Sequence, residues 1–360
     1  MPAVRVNAAP LAALNTFGIA ATARSLWRIE RIDEVAPLVA RLRADGEIED
    51  AARRPLVLGG GSNLLIAGDL TQPVLQVAIG GRRVCDGDDT SVIVEAGAGE
   101  SWDALVRWTL AQHAWGLENL ALIPGTVGAS PIQNIGAYGV ELRDRFDSLE
   151  AVDLLNGTIR RFDAAECAFG YRDSVFKQAD GSRWMVVSVR LRLQRRPVLS
   201  LDYGEIRDEL ARAGVLDPTP VAVADAVTAI RRRKLPDPAV LGNAGSFFKN
   251  PVVPPALADA LRHREPGLPA WPVGDQVKLS AAWMIDRCGW KGFRDGDAGV
   301  HAAHALVLVN HGSATGAQLL SLARRVRDSV EARFGVRLQA EPVVVGAPDA
   351  CGPDCHPGWL

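Results

Sequence analysis

Long apolar runs, paired cysteines and an excess of one charge are all missing from this chain. No stretch approaches the ~20 apolar residues that a membrane-spanning helix needs. The opening MPAVRVNAAPLAALNTFGIA has an arginine but no sustained apolar segment leading to a small-residue cleavage site. A cytoplasmic location without a membrane partner is the resulting expectation. The five cysteines among 360 residues (Cys85, Cys167, Cys288, Cys351, Cys355) are too few and too scattered for a disulfide framework, which agrees with a reducing compartment. Cys351, Cys355 and His356 cluster in the tail DACGPDCHPGWL, but their spacing departs from paired-cysteine zinc signatures, and no metal is expected. His301 and His304 lack both a third ligand and the i, i+4 spacing of a zinc protease pair. With 40 basic and 42 acidic residues well mixed and a net charge of -2, no basic field exists to hold nucleic acid. Any anionic ligand has to be caught locally, and a monomer is expected.

Three catalytic motifs are missing as well. Ser246 lies in GNAGSFFKNP, where Phe248 occupies the position that a nucleophile elbow reserves for glycine, so a hydrolase serine is excluded. From this stretch alone Ser246 is a turn serine. The triple glycine of LVLGGGSN (Gly59, Gly60, Gly61, then Ser62 and Asn63) is not followed by the third glycine and amphipathic helix of a dinucleotide fingerprint. It is not followed by Gly-Lys-Ser/Thr either, which excludes a Walker loop.

What the chain does have is 48% hydrophobic residues and nine tryptophans, enough for a large core over two or three domains. Its patterning predicts a helix around Ile32 to Arg43, strand-like runs on either side of the triple glycine, and a strand over SVIVEAG. A helix capped by Ser101 should run to about His113. Strands follow around Glu150 to Leu155 and Trp184 to Leu193, then a helix from Val221 to Arg233 that ends in RRRKLPDP, where a domain boundary is placed. The last section should hold a helix over Leu279 to Cys288, a buried strand over Ala305 to Asn310, a helix over Gly316 to Phe334 capped by Gly335, and a final strand over Val336 to Glu341.

Between them, PGTVGASPIQNIGAYG is rich in glycine and poor in helix signals, as a loop laid against a ligand would be. Without a Cβ, a glycine backbone can approach phosphate closely and aim its N–H groups at the oxygens. Two such loops with small hydroxyl residues (Ser62, Thr126, Ser130) could enclose an extended anionic cofactor such as FAD.

The segments NTFG, GGGSNLL, PGTVGASPIQNIGAYG, YRDSVFK, KLPDP, GNAGSFFKNP and the late Glu341-Pro342 occur in the order seen in the UDP-N-acetylenolpyruvoylglucosamine reductases, which this chain resembles from about Asn15 to Gly346. The resemblance implies an α+β protein with a two-part FAD-binding fold of the vanillyl-alcohol-oxidase type and a separate α/β substrate-binding C-terminal domain. The expected divisions are 1–84 and 85–234 for the two FAD-binding subdomains, 235–346 for the substrate domain and 347–360 for a tail. FAD is expected to be noncovalent, since no histidine flanks GGGSN. Expected cofactor contacts are Gly59, Gly60, Gly61, Ser62, Asn63, Gly125, Thr126, Val127, Gly128, Ala129, Ser130, Gly136, Ala137 and Tyr138, with Val186, opening a strand, against the flavin ring.

The implied reaction reduces the enolpyruvyl ether of UDP-N-acetylglucosamine enolpyruvate to a lactyl ether, in the synthesis of peptidoglycan precursors. A hydride drawn from NADPH by way of FAD reaches the terminal methylene carbon, and charge develops at the neighbouring carbon and its carboxylate. That charge needs fixed donors and an acid over the carbon. By the resemblance, Arg172 pairs the carboxylate, Glu341 joins it as a donor, and Ser246 is the proton donor. Tyr203, Lys234 and Asn250 match contacts to the substrate, the tyrosine being the mobile cover of the longer-loop class. Without the resemblance, Arg172 reads as an ion-pair partner of Asp173, and the arginines of RRRK as a solvated helix end. Two further readings are an FAD-dependent sugar or lactone oxidase and a nucleotide-sugar-binding protein without turnover.

Overall fold

The computed structural model describes residues 3–48, 54–178 and 180–346, so the Cys351/Cys355/His356 tail lies outside the described residues. Two compact units result. The first takes the described residues of Met1–Ala9, Ala23–Gly61 and Thr71–Arg233; the second takes those of Pro10–Thr22, Ser62–Leu70 and Lys234–Leu360. The chain therefore passes from one unit to the other within the GGGSN turn.

In the first unit, a four-stranded sheet runs in the order Val4–Pro10, Thr22–Ile29, Val74–Val77, Leu56–Leu58, and its last two pairings are parallel. A parallel pairing needs a crossover. The helix Val35–Ala44, following a 3-10 turn over Ile32–Glu34, supplies it and buries Val35, Leu38, Val39 and Leu42. The second sheet is antiparallel, ordered Ile159–Asp163, Phe146–Asp153, Trp184–Gln194, Ser91–Gly97, Arg82–Gly87. Alternate residues of Ser91–Gly97 and Trp184–Gln194 join one continuous core with the helices Trp102–Ala111 and Pro220–Lys234. The Ser101 hydroxyl accepts the Ala104 N–H and so starts the first of these helices at the expected place.

The second unit holds an antiparallel sheet ordered Gly242–Ser246, Val307–Asn310, Ala298–Val300, Arg294–Asp295, beside a three-stranded sheet of Val252–Val253, Gln276–Leu279 and Ala270–Val273. The helix Gly316–Phe334 begins in a Thr315/Gln318 capping box and ends at Gly335, whose φ of +67° is a left-handed value that glycine adopts without a Cβ penalty. It buries Leu319, Leu322, Val326, Val330 and Phe334.

Three expected boundaries are corrected. The last strand is Val343–Val345, not Val336 to Glu341; it pairs in parallel with Leu64–Ile66. Val336, Leu338 and Ala340 are buried and alternate with exposed Arg337 and Gln339, so the extended pattern is real, but among the described residues it makes a single isolated bridge, Ala340 to Phe248. Glu341 thus precedes the last strand instead of ending it. The helix expected from Leu279 spans Ala281–Arg287, because Leu279 finishes a strand and the Ser280 hydroxyl caps the helix at Trp283 N. Val186 is the third residue of its strand, not its opening.

Candidate functional site

In the first unit the two glycine loops touch. A Cβ on Gly60 would stand 3.2 Å from the Gly125 Cα, and one on Gly59 would collide with the Thr126 hydroxyl. Among the described residues, no backbone carbonyl receives the N–H groups of Gly59, Gly60 or Gly61. A backbone this closely laid, with its donors unused by the fold, fits the diphosphate of FAD. The rest of the second loop is spent on its own structure: Val127 N–H goes to Glu100 O, Gly128 to Ala98 O, Ala129 to Thr126 O and Ser130 to Val127 O. The Ser130 hydroxyl is buried and donates to Val127 O at 2.6 Å. These four residues shape the cradle, and their N–H groups are not among its donors. Gly59→Ala should push Thr126 aside and weaken FAD retention about tenfold, roughly 1.4 kcal/mol, as read by flavin released on dilution of the purified protein.

Gly136–Ala137 and Val140–Glu141 form a small hairpin. Its turn residues, Tyr138 (φ +49°) and Gly139 (φ +81°), are both left-handed, as a two-residue hairpin turn requires. Leu122, Asn134 and Arg172 also hold left-handed φ, at +58°, +45° and +54°. Four non-glycine residues in a sparsely allowed region is a concentration of backbone strain of the kind found at working sites. The neighbouring structure enforces it: Asn134 Nδ2 donates to Gly170 O at 3.0 Å and to Glu141 at 2.9 Å, and Asn119 Nδ2 donates to Tyr138 O at 2.9 Å.

Arg172 donates from its guanidinium to Gly136 O at 2.7 Å, which ties YRDS to the hairpin. Asp173 accepts from Ser174 N at 3.0 Å and Gln178 Nε2 at 3.4 Å. The Tyr138 ring packs edge-on against Tyr203, with centroids 5.5 Å apart, and Tyr203 is exposed just before the helix Gly204–Arg212. Burial raises the Tyr138 phenol above its ordinary range, opposed by the positive charge of Arg231. Val186 is buried in the core of this unit.

Arg231 is the residue that sequence reasoning missed. It donates from Nε to Leu122 O at 3.2 Å; burial pulls its guanidinium below the ordinary range, Tyr138 opposes this and Arg172 adds to it. A signal existed. Arg231 follows Val227 by four residues, so it continues the apolar face of its helix, whereas Arg232 and Arg233 are exposed.

In the second unit, Ser246 ends a strand distorted by a register shift between Asn243 and Ser246. Asn243 makes the distortion: its Nδ2 donates to Pro236 O and Leu241 O, and its Oδ1 accepts the N–H of Gly245, whose φ is +70°. The turn work is thus done by Asn243 and Gly245. Ser246 is half-buried, and among the described residues its hydroxyl bonds to no protein group. Directly after it, Phe247 O accepts the Glu341 N–H at 2.8 Å, so the serine and the carboxyl residue lie on adjoining backbone segments. Asn63 Nδ2 donates to Glu341 O at 3.2 Å, and Asn63 O accepts the Val343 N–H at 3.1 Å. Lys234 is the last residue of Pro220–Lys234. Asn250 Oδ1 accepts the Ala281 N–H at 3.0 Å, which leaves its Nδ2 as donor.

NTFG also has its place here. Asn15 is buried, with Nδ2 on Leu11 O and Ile19 O, and Asn310 Nδ2 donates to Phe17 O at 2.9 Å. Phe17 packs against Phe247 with centroids 6.4 Å apart. The motif supports the strand that carries Ser246.

A family profile described as an FAD binding domain matches residues 43–163, and one described as the C-terminal domain of UDP-N-acetylenolpyruvoylglucosamine reductase matches 237–345. The chain is 54% identical over 329 residues to UDP-N-acetylenolpyruvoylglucosamine reductase of Pseudomonas aeruginosa, covering 91% of this chain and 95% of that one. It is 56% identical over 337 residues to the reductase of Burkholderia vietnamiensis, with 93% and 95% covered. Among solved structures, that of the reductase from Thermus caldophilus superposes with a TM-score of 0.64 at 27% identity, covering 96% of this chain and 99% of that one.

Proposed function

The chain belongs to the UDP-N-acetylenolpyruvoylglucosamine reductase family, and from that premise we propose how its own residues divide the reduction of UDP-N-acetylglucosamine enolpyruvate to UDP-N-acetylmuramate. FAD is the cofactor and NADPH the reductant. The flavin is held noncovalently by residues 1–84 and 85–234, with the N–H groups of Gly59, Gly60 and Gly61 on its diphosphate and residues 125–130 and 136–138 as the opposite wall. Bound there, FAD would supply hydride chemistry, with NADPH as the source.

The remaining chemistry falls to side chains. Arg172 presents a planar fork that pairs both oxygens of the substrate carboxylate, where charge builds up. Its orientation is fixed in advance by the Gly136 carbonyl, and Arg231 lies close enough for the two positive charges to oppose each other. Fixed charge placed before the reaction costs no reorganisation when the anion forms. Glu341 joins Arg172 at the same carboxylate. Ser246 Oγ then protonates the neighbouring carbon. Lys234, Asn250 and Tyr203 hold and cover the sugar diphosphate. The observation that supports the assignment is that Ser246 precedes the segment bonded to Glu341, Phe247 O accepting the Glu341 N–H, while among the described residues its hydroxyl bonds to no protein group. The protein acts as a monomer in the cytoplasm.

The test is anaerobic. NADPH should bleach the bound flavin, and UDP-N-acetylglucosamine enolpyruvate alone should restore its colour. Reduced flavin that ignored that substrate and reoxidised rapidly once oxygen was admitted would instead favour a sugar or lactone oxidase.

A further inference from the structure

The turn His301–Leu306 joins two strands of the sheet that carries Ser246. Ser246 lies opposite Val307, and the next residue, Phe247, donates its N–H to Leu306 O at 2.7 Å. The turn is closed by three bonds: His301 N–H to Val307 O at 2.8 Å, Val307 N–H to His304 O at 3.1 Å, and Leu306 N–H to His304 Nδ1 at 3.3 Å. The last of these sets a chemical condition. An imidazole nitrogen can accept an N–H only while it carries no proton, so the bond requires the neutral ring with its hydrogen on Nε2.

We propose that His304 is a positioning residue for the proton donor, holding the Leu306 peptide, and through it the Phe247 and Ser246 end of the strand, in place only while its Nδ1 is unprotonated. The inference rests on the reading of Ser246 given above. His304 acts through the Leu306 backbone, whose N–H it accepts and whose carbonyl receives the Phe247 N–H.

The surroundings keep the ring neutral. His304 is half-buried, and burial is the largest influence lowering its affinity for a proton. The charges that act on it are all positive: Lys234 at the end of Pro220–Lys234, Lys291 in the loop after Ala281–Arg287, and His301 on its own turn. Lys291 is itself 3.8 Å from Asp286. His301 is likewise held below the ordinary imidazole range, by burial and by His311. A histidine whose folded value is depressed contributes fully above its unfolded value of ~6.5 and loses that contribution as pH falls through the lower folded value. Mild acid should therefore break the Leu306 bond and slow substrate reduction, with no protonation of the substrate site itself required.

The experiment compares the flavin-loaded wild type with His304→Asn and His304→Leu. Asparagine places an oxygen near the position of Nδ1 and does not titrate. In the wild type, NMR should show the Leu306 amide proton shifting with the His304 ring at one midpoint below pH 6.5. Reoxidation of reduced flavin by the enolpyruvyl substrate should fall at that midpoint, and reduction by NADPH should not. His304→Asn should recover most of the neutral-pH rate and lose the acid fall; His304→Leu should be slower at every pH, on the order of tenfold. A Leu306 amide that ignores the His304 titration, an acid fall that persists in His304→Asn, or a wild-type rate in His304→Leu would each overturn the proposal. Failure of the Ser246 reading itself has a separate signature, full turnover in Ser246→Ala, which none of these measurements reproduces.

Discussion

Ser246→Ala is expected to be reduced by NADPH as fast as the wild type and then to pass almost nothing to the enolpyruvyl substrate. The loss in the second half-reaction should be roughly 10²–10⁴-fold, the range over which a positioned general acid acts. An aliphatic hydroxyl is a weak acid, and in water it would contribute little. Its value here lies in placement: the bulge built by Asn243 and the left-handed Gly245 fixes the residue at the strand end, and the Glu341 N–H on Phe247 O fixes the neighbouring segment. Because no described protein group bonds to the Ser246 hydroxyl, its removal should leave thermal stability within about 0.5 kcal/mol of the wild type. That separation is the informative part. A structural turn serine would show the reverse pattern, a loss of stability with turnover largely kept. Stopped-flow absorbance of the flavin, with each half-reaction followed alone, reads both halves directly.

The parts of the molecule legible in the sequence were those where local preferences agree. Gly316–Phe334 carries a capping box, an apolar face of period 3.6 and a left-handed glycine after its end, and it forms between the expected residues. Ser91–Gly97 and the Ser101 cap are similar cases. Pairings between distant segments were not legible. Val336 to Ala340 alternates as a strand should, yet the ladder forms three residues later, where Val343–Val345 meets Leu64–Ile66. Nothing local distinguishes the two runs; the choice is made by the partner. The site shows the same division. Which segments carry its residues could be read from the motifs, but not that Asn243 would do the turn work and free Ser246, nor that NTFG would fold under the serine strand. Arg231 was hidden for another reason: in a run of four basic residues, charge alone suggests solvent, and only helical phase separates the half-buried arginine from its exposed neighbours.

Arg172→Lys keeps the charge and should still reduce substrate turnover roughly 10²–10³-fold, the cost of losing a preorganised donor at a developing anion. A lysine has no fork. Its three rotatable donors cannot hold the Gly136 carbonyl and meet both carboxylate oxygens in one plane, as the planar fork of a guanidinium anchored on Gly136 O can. The backbone adds a second reason. Residue 172 has a φ of +54°, and the bond from its side chain to the hairpin is part of what stabilises that strained conformation, so a weaker anchor should also blur its position. The loss should appear mostly in the rate of substrate reduction by reduced flavin at saturating substrate, since the pairing strengthens as charge moves onto the carboxylate. A lysine variant that lost only affinity, with its saturated rate intact, would show that Arg172 binds the ground state and leaves the charge to other groups. Arg231 is the first of those to test next, because its half-buried guanidinium already lies within electrostatic reach of Arg172.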